Sequence, residues 1–431
     1  MLPRSTKRST DASPGRTACG APVRSGRGWR RPRRKGFTAV LFTMIVVVGI
    51  VAMALVLNWV YLLMVSQRTT QTTDVLALGA AQQLLDENIL LDMTPTALSQ
   101  SAAEAAATSE VDDLRIDNNA AAGRGNELEA ADVTVTPGYV NNVNDSEPFA
   151  TSPYYTLTTH ALAAMNTDQA YNALRVEVLR SPTGSNPVRM LVRGFGAPSD
   201  GVKMSSVAIA ALDNRVVGFR PTSAVASPVA PLAIDTTAWH STRVSDADDS
   251  FNGNLRYELD VMLDRSSGGG SPNSALVNVD DSAVTVDLSV IDDQIRDGIF
   301  PGDLSGTTLG PASMGSPLSL AADASSPTAA DATSTDDIVM EFNTIAVSDD
   351  PRRIFPIYSM VAGGFATVTG FIAADVLEAE NTGTGMGYDE LRVRIEPAFI
   401  VHFTAETDQS LPDDEVNPYI YKLRLIRHET P

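Results

Sequence analysis

From Gly36 to Gln67 the chain carries no charged residue over 32 consecutive positions. A secretory signal has an apolar region of about 7 to 15 residues, whereas a membrane-crossing helix needs about 20. The run is therefore long enough to span a bilayer. No small-x-small cleavage box ends it. Asn58-Trp59-Val60-Tyr61 instead places amphipathic rings near its outer end, where such rings favour the membrane interface. The expected structure is a retained transmembrane helix over residues 36–65.

Charge gives this helix a direction. Residues 1–35 hold eleven Arg and Lys against Asp11 alone, and flanks of this kind stay cytoplasmic. Beyond the tail, 21 basic residues face 51 acidic ones, a formal charge of −30. A region so acidic repels nucleic acid and anionic lipid headgroups, so no nucleic-acid partner is expected, and the basic tail reads as a topology determinant.

Cys19, the only cysteine, lies in that tail, so the outer region must fold without a disulfide. Some 360 residues can bury a sizeable core, as one large domain or two. A disulfide-free outer region is commoner in bacteria than in eukaryotic ectodomains, and the expected location is the bacterial inner membrane with the C-terminal region periplasmic or extracytoplasmic.

Past the span, Val75, Leu78, Ala81, Leu85 and Ile89 recur at helical spacing, which predicts an amphipathic stalk over residues 66–110. Thr94-Pro95 opens its second helix, expected through Ala97 to Glu110, and the alanine-rich "SAAEAAA" suits close helix packing. From about Ala131 the period becomes that of strands. "ADVTVTPGYV", "ALRVEVLR", "VRMLVRGF" (Val188 to Phe195), "KMSSVAIAAL", "YELDVML", "ALVNVD" and "AVTVDL" (Ala283 to Leu288) predict a β-rich domain over residues 111–303. Residues 304–337, rich in Gly, Pro, Ser, Thr and Ala, read as a low-complexity linker or insertion. "RRIFPIY", "FATVTGFIAADVL", "LRVRIEPAFIVHF" and "YIYKLRLIRH" predict a second sheet over residues 338–431. The fold class is thus α+β: a transmembrane helix, a helical stalk, and a β-rich region of one or two domains.

The residues for chemistry are sparse. His160, His240, His402 and His428 are isolated, with no i, i+4 pair to seat a zinc ion. "PASMG" has Pro311 where a nucleophile elbow needs glycine, and no glycine loop for phosphate follows a strand. In "SDADDSFNGN", Asp246, Asp248, Ser250 and Asn252 alternate as oxygen donors do in a calcium loop. Phe251, however, replaces the turn glycine, and Tyr257 stands where the bidentate glutamate belongs, with Glu258 one residue late. "DATST" (Asp331 to Thr335) resembles the metal loop of von Willebrand type A domains but follows no apolar strand. No catalytic, cofactor-binding or metal site is expected.

Basic residues, a span, and an uninterrupted helix carrying "TTDVLALGAAQQLL" resemble the TadE/TadG-like family of Flp (tight adherence) pilus-assembly proteins. Asp74, Leu76, Ala77, Leu78, Ala80 and Ala81 match the aspartate, alanine and leucine run of that family, while Asn58 stands where many members have aspartate. "NALRVEVLRS", "VAIAALDNRVVGFRP", "VAPLAID", "DDQIRDGI", "RRIFPIY", "TGFIAADVL" and "RVRIEPAFI" extend the likeness towards the larger TadG-like members. "KGF" at Lys35 to Phe37 is similar to a prepilin processing site, but Leu41 occupies the glutamate position, so processing there is not expected.

The resemblance implies a non-enzymatic, membrane-anchored structural component of pilus assembly and secretion, with pilus-assembly or envelope proteins as partners. A non-pilus envelope scaffold or surface adhesin would share the anchor and the β-rich ectodomain. An envelope enzyme would need scattered carboxylates brought together in a deep pocket.

Overall fold

The computed structural model of the 431-residue chain describes residues 35–85, 90, 97–122, 127–140, 171–182, 186–192, 201–244, 251–254, 256–263, 273–280, 282–283, 285–310, 318–323, 332–381, 391–408, 410–411 and 417–426. Two compact units divide the chain, Met1–Val56 and Leu57–Pro431. The described part of the first is the apolar half of one helix, α1 (Lys35–Gln82), which runs without interruption into the second. From Thr38 onward α1 is long and apolar enough to cross a membrane, and its apolar stretch exposes Phe42, Met44, Ile45, Val48 and Met53. The rest is β-rich, and the whole is a mixed α+β fold.

In the second unit the outer part of α1 lies with α2 (Ala97–Ala122) against a five-stranded sheet. The order of that sheet is β1 (Val133–Gly138), β2 (Ala173–Arg180), β3 (Met204–Asp213), β14 (Ile420–Ile426) and β12 (Ile400–Val401). Period-two alternation decides which strand residues meet the helices. Leu174, Val176 and Val178 of β2 and Ala208, Ala210 and Leu212 of β3 bury against Leu76, Ala77, Ala80, Ala81 and Leu84 of α1 and Ala107 and Val111 of α2. Ala173, Ile209 and Ala211 belong to a separate small cluster with Val140.

The second sheet runs β6 (Leu259–Leu263), β11 (Leu391–Pro397), β10 (Phe365–Asn381), β8 (Leu318–Asp323), β7 (Ser274–Val277), β5 (Leu232–Asp235) and β9 (Arg352–Ala362). Because β9 also pairs with β10 over Arg352 to Ala362, the strands β10, β8, β7, β5 and β9 close on themselves. Within that ring, closure leaves no free edge, while β6 remains the terminal strand of the sheet. A core containing Phe219, Trp239, Phe342, Phe355, Phe371 and Tyr419 belongs to this part. Three short helices accompany it: α3 (Thr236–Val244), α4 (Leu288–Asp297) and α5 (Ala332–Ala346). Asp235 caps α3, its Oδ1 accepting from the backbone N–H groups of Thr237 at 2.8 Å and Ala238 at 3.0 Å. A two-stranded ribbon pairs β4 (Val216–Phe219) with β13 (Ala405–Thr407).

Several expectations are corrected. The second stalk helix does not stop at Glu110 but continues to Ala122, because Ala107, Val111, Leu114 and Asn118 keep helical spacing through the charged "VDDLRID". Residues 304–337 are not merely a low-complexity linker or insertion. Leu318–Asp323 forms β8 inside the larger sheet, with Leu320 and Ala321 buried, and Ala332 opens α5. The β-rich parts at 111–303 and 338–431 do not correspond to the two sheets. Strands β12 and β14 complete the N-terminal sheet, whereas β5, β6 and β7 join the C-terminal one, since strand pairing follows burial rather than sequence distance. "AVTVDL" forms no strand among its described residues, and its Leu288 starts α4. "VRMLVRGF" is no strand either where it is described: Val188 makes a single bridge to Val202, and Leu191 and Val192 lie in a bend.

Candidate functional site

A tightly bonded polar geometry in the second unit gathers around α1 just after its most apolar stretch. Asn58 is 5% exposed and pairs with the backbone of Val192, its Nδ2 donating to the carbonyl oxygen at 3.0 Å and its Oδ1 accepting from the N–H at 2.9 Å. A side-chain amide thus reproduces both halves of a strand pairing, so neither backbone group of Val192 is left unpaired. Further along, the Thr69 hydroxyl donates to the Val65 carbonyl at 2.8 Å and the Thr73 hydroxyl to that of Thr69 at 2.7 Å. These bonds let hydroxyls sit on the buried face of the helix.

Beneath that face lies Arg180, at the end of β2 and 1% exposed. Its Nε and one terminal nitrogen donate to the carbonyl and side-chain oxygens of Asn186, at 3.2 and 3.1 Å. Asn186 Nδ2 in turn donates to Asp132 Oδ2 at 2.8 Å, which also accepts from the N–H of Glu129 at 2.9 Å. Burial pulls the Arg180 guanidinium below its ordinary value, and the nearby Asp132 carboxylate opposes this. Arg180, Val65, Arg68, Thr69, Thr72, Asn118, Asn119 and Leu128 line a cavity of only about 20 Å³. This is room for about one water molecule.

The expected stalk face is found in part: Ala81 is buried and Leu78 and Leu85 pack against the same cluster, but Val75 does not. Leu76, Ala77, Ala80, Ala81 and Leu84 are the buried residues, Leu78 and Leu85 are half-buried, and Val75 is 46% exposed. Ile89 lies outside the described residues. Gly79 faces α2 so closely that an added Cβ would lie 2.4 Å from Leu114 Cδ1. The small residues 79–81 therefore do permit close helix approach, and the face is occupied by this chain's own sheet and second helix.

A second polar array covers one side of β6, β11 and β10. Arg394 meets Asp260 at 2.9 Å and Glu378 at 3.1 Å, and Arg392 contacts Glu380 and lies 3.7 Å from Asp260. The even-numbered residues of "LRVRIEP" point to this side, while Leu391, Val393 and Ile395 bury on the other. A bulge between Val376 and Glu378 shifts β10 so that Asp375 opposes Glu396 while Glu378 opposes Arg394. The buried carboxylates Glu258, Asp375 and Glu396 each face arginine: Arg394 for the first, and Arg256 for the other two, at 3.6 and 3.3 Å. They serve as acceptors within a salt-bridge lattice of the described residues.

The described part of the acidic loop belongs to this lattice. Asn252 and Asn254 donate to Glu396, and the backbone N–H of Phe251 donates to Glu258 Oε1 at 3.0 Å. The Phe251 ring lies 5.3 Å from the Arg394 guanidinium carbon. Asp246, Asp248 and Ser250 lie outside the described residues, as do His160 and His428. Among the described residues no group of three His, Cys, Asp or Glu could hold a metal ion. His240 is exposed on α3. His402 Nδ1 shares a hydrogen bond of 2.7 Å with the Thr404 hydroxyl, which accepts from the Ser227 hydroxyl at 2.8 Å. Burial holds the His402 imidazole below its usual value.

Nothing matches the chain among family models, curated proteins or solved structures. Sequence reading noted Asn58 only at the outer end of the apolar run, as standing where aspartate is common in the family it resembles, and did not find its partner. The Arg180–Asn186–Asp132 contacts escaped it. The Asn186-Pro187 turn signal was the only local trace of them.

Proposed function

We propose that this chain is a membrane-anchored structural component, similar to the TadG-like proteins of Flp pilus assembly and secretion, that acts through its envelope-exposed domain without catalysis. One helix over residues 36–65 anchors it in the bacterial inner membrane, with the basic tail cytoplasmic and the acidic region outside. The observation that carries this reading is the continuity of α1, which passes from an exposed apolar stretch directly into a docked position on the five-stranded sheet. A helix assigned continuously from Lys35 to Gln82 links the anchor to the folded domain in sequence. The partners are pilus-assembly or envelope proteins that meet the acidic outer surface.

Deletion of the gene in its own host tests the proposal. Loss of surface pili, restored by the full chain but not by residues 1–82 alone, is the expected result. Normal pili with impaired surface attachment would instead support the adhesin or scaffold reading.

A further inference from the structure

We propose that the loop Pro187–Val192 is a second membrane contact of this chain, an interfacial one, which lays Leu191 into the anionic headgroup layer where α1 leaves the bilayer. This rests on the transmembrane reading of α1 proposed above.

Position is the first argument. The 21 steps from Phe37 to Asn58 rise about 32 Å at about 1.5 Å per residue, close to the hydrocarbon thickness of about 30 Å. Whatever Asn58 holds is therefore placed at the outer interface, and Asn58 holds Val192 by two hydrogen bonds. Trp59, next to Asn58, is 69% exposed, and Leu191, next to Val192, is 61% exposed. Both exposed side chains thus stand one residue from the Asn58–Val192 pairing, at the level where the helix would leave the bilayer, and amphipathic and apolar side chains at that level favour the interface.

The loop is also built to stay in place. Asn186 at its start is fixed to Arg180 and Asp132. Val188 and Val202 exchange backbone hydrogen bonds of 3.3 and 3.0 Å. Gly201 adopts a left-handed φ of +90°, and an added Cβ would lie 2.8 Å from Pro187 Cβ, so only glycine lets these segments approach. Anchored at both ends, the loop presents Leu191 without paying ordering entropy on contact with lipid. Arg189 and Lys203, both exposed, flank the Val188–Val202 bridge in a region whose overall charge is strongly acidic. Their chemistry fits a phosphate-bearing lipid surface.

The test places an environment-sensitive fluorophore on Leu191→Cys, Val47→Cys or Val347→Cys, each in the full chain carrying Cys19→Ser. The protein is reconstituted in vesicles of phosphatidylethanolamine and phosphatidylglycerol, with lipid spin labels near the headgroup or at the chain end. The label at 191 is expected to shift to shorter wavelength and to be quenched most by the headgroup spin label. The label at 47 is expected to be quenched most by the chain-end label, and the label at 347 by neither. No quenching at 191 with quenching at 47 overturns the loop contact and leaves the span intact. No quenching at 47 overturns the span and the loop contact with it. Replacing phosphatidylglycerol by phosphatidylcholine is expected to weaken quenching at 191, and unchanged quenching overturns the role given to Arg189 and Lys203.

Discussion

Asn58 and Val192 are 134 residues apart in sequence, yet the side-chain amide of the first satisfies both backbone groups of the second, at 2.9 and 3.0 Å. Through this pairing a loop of the β-rich region is registered to a fixed height on α1. Replacing Asn58 by leucine keeps the apolar run but leaves the N–H and carbonyl of Val192 without their partner. Leaving a buried group unsatisfied costs about 1–3 kcal/mol. The expected outcome is faster hydrogen exchange at Val192, with α1 still helical. Unchanged exchange would show that the pairing does not hold the loop.

Leu76 and Val75 are neighbours with opposite fates, one fully buried against the sheet and the other 46% exposed. Leu76→Ala is expected to destabilise the second unit by about 2–5 kcal/mol, as buried leucine truncations do. Val75→Ala should change stability by no more than about 0.5 kcal/mol. Urea denaturation of the detergent-solubilised chain compares the two. Equal effects would place the buried face where the heptad-like spacing of Val75, Leu78, Ala81 and Leu85 puts it, rather than where the structure does.

The misplacement of Val75 shows what a sequence can and cannot specify here. The residue types announced a helix with a small-residue face, and the bounds of β2 were legible to the residue from the alternating "ALRVEV", although buried Arg180 and exposed Leu179 break the pattern at its end. The phase of α1 depends on which sheet it meets, and that sheet is completed by β14 from the far end of the chain. β8 was hidden because "LSLAAD" is short and sits among Gly, Pro and Ser; only its pairing with β7 and β10 makes it a strand. The salt-bridge lattice was implicit in the alternating "LRVRIEP", but its partners on β6 and β10 required the register.

Gln294 on α4 is 2% exposed, and neither atom of its side-chain amide has a hydrogen-bond partner among the described residues. Such a group carries its desolvation penalty without compensation. Gln294→Met, close in volume, is expected to leave the thermal midpoint unchanged or raise it. A clear drop would mean that the amide makes a stabilising contact after all.

Asp292 faces Arg296 at 3.9 Å, with Asp293 and Asp337 also nearby, and burial outweighs the arginine to raise its carboxyl above the usual 3.8. Glu341, close to the same group, is raised for the same reason. A carboxyl raised in the folded state takes up its proton more readily there than in the unfolded chain. Its contribution to stability is therefore present at low pH and lost as pH rises through the folded value. Asp292→Asn should then be more stable than the parent at pH 7, with the difference shrinking as pH falls towards 4. A variant less stable at neutral pH would show that the Arg296 pairing dominates.

The central claim is that α1 crosses a membrane with the basic tail inside and the docked outer half beyond it. Labelling with a membrane-impermeant maleimide on intact inner-membrane spheroplasts tests it most directly, reading native Cys19 in the parent chain and Val47→Cys or Gln71→Cys in a Cys19→Ser background. The account predicts labelling of position 71 in intact spheroplasts, labelling of Cys19 only after the membrane is opened, and no labelling of position 47 until detergent is added. Labelling of position 47 as readily as position 71, or of Cys19 from outside, would contradict it.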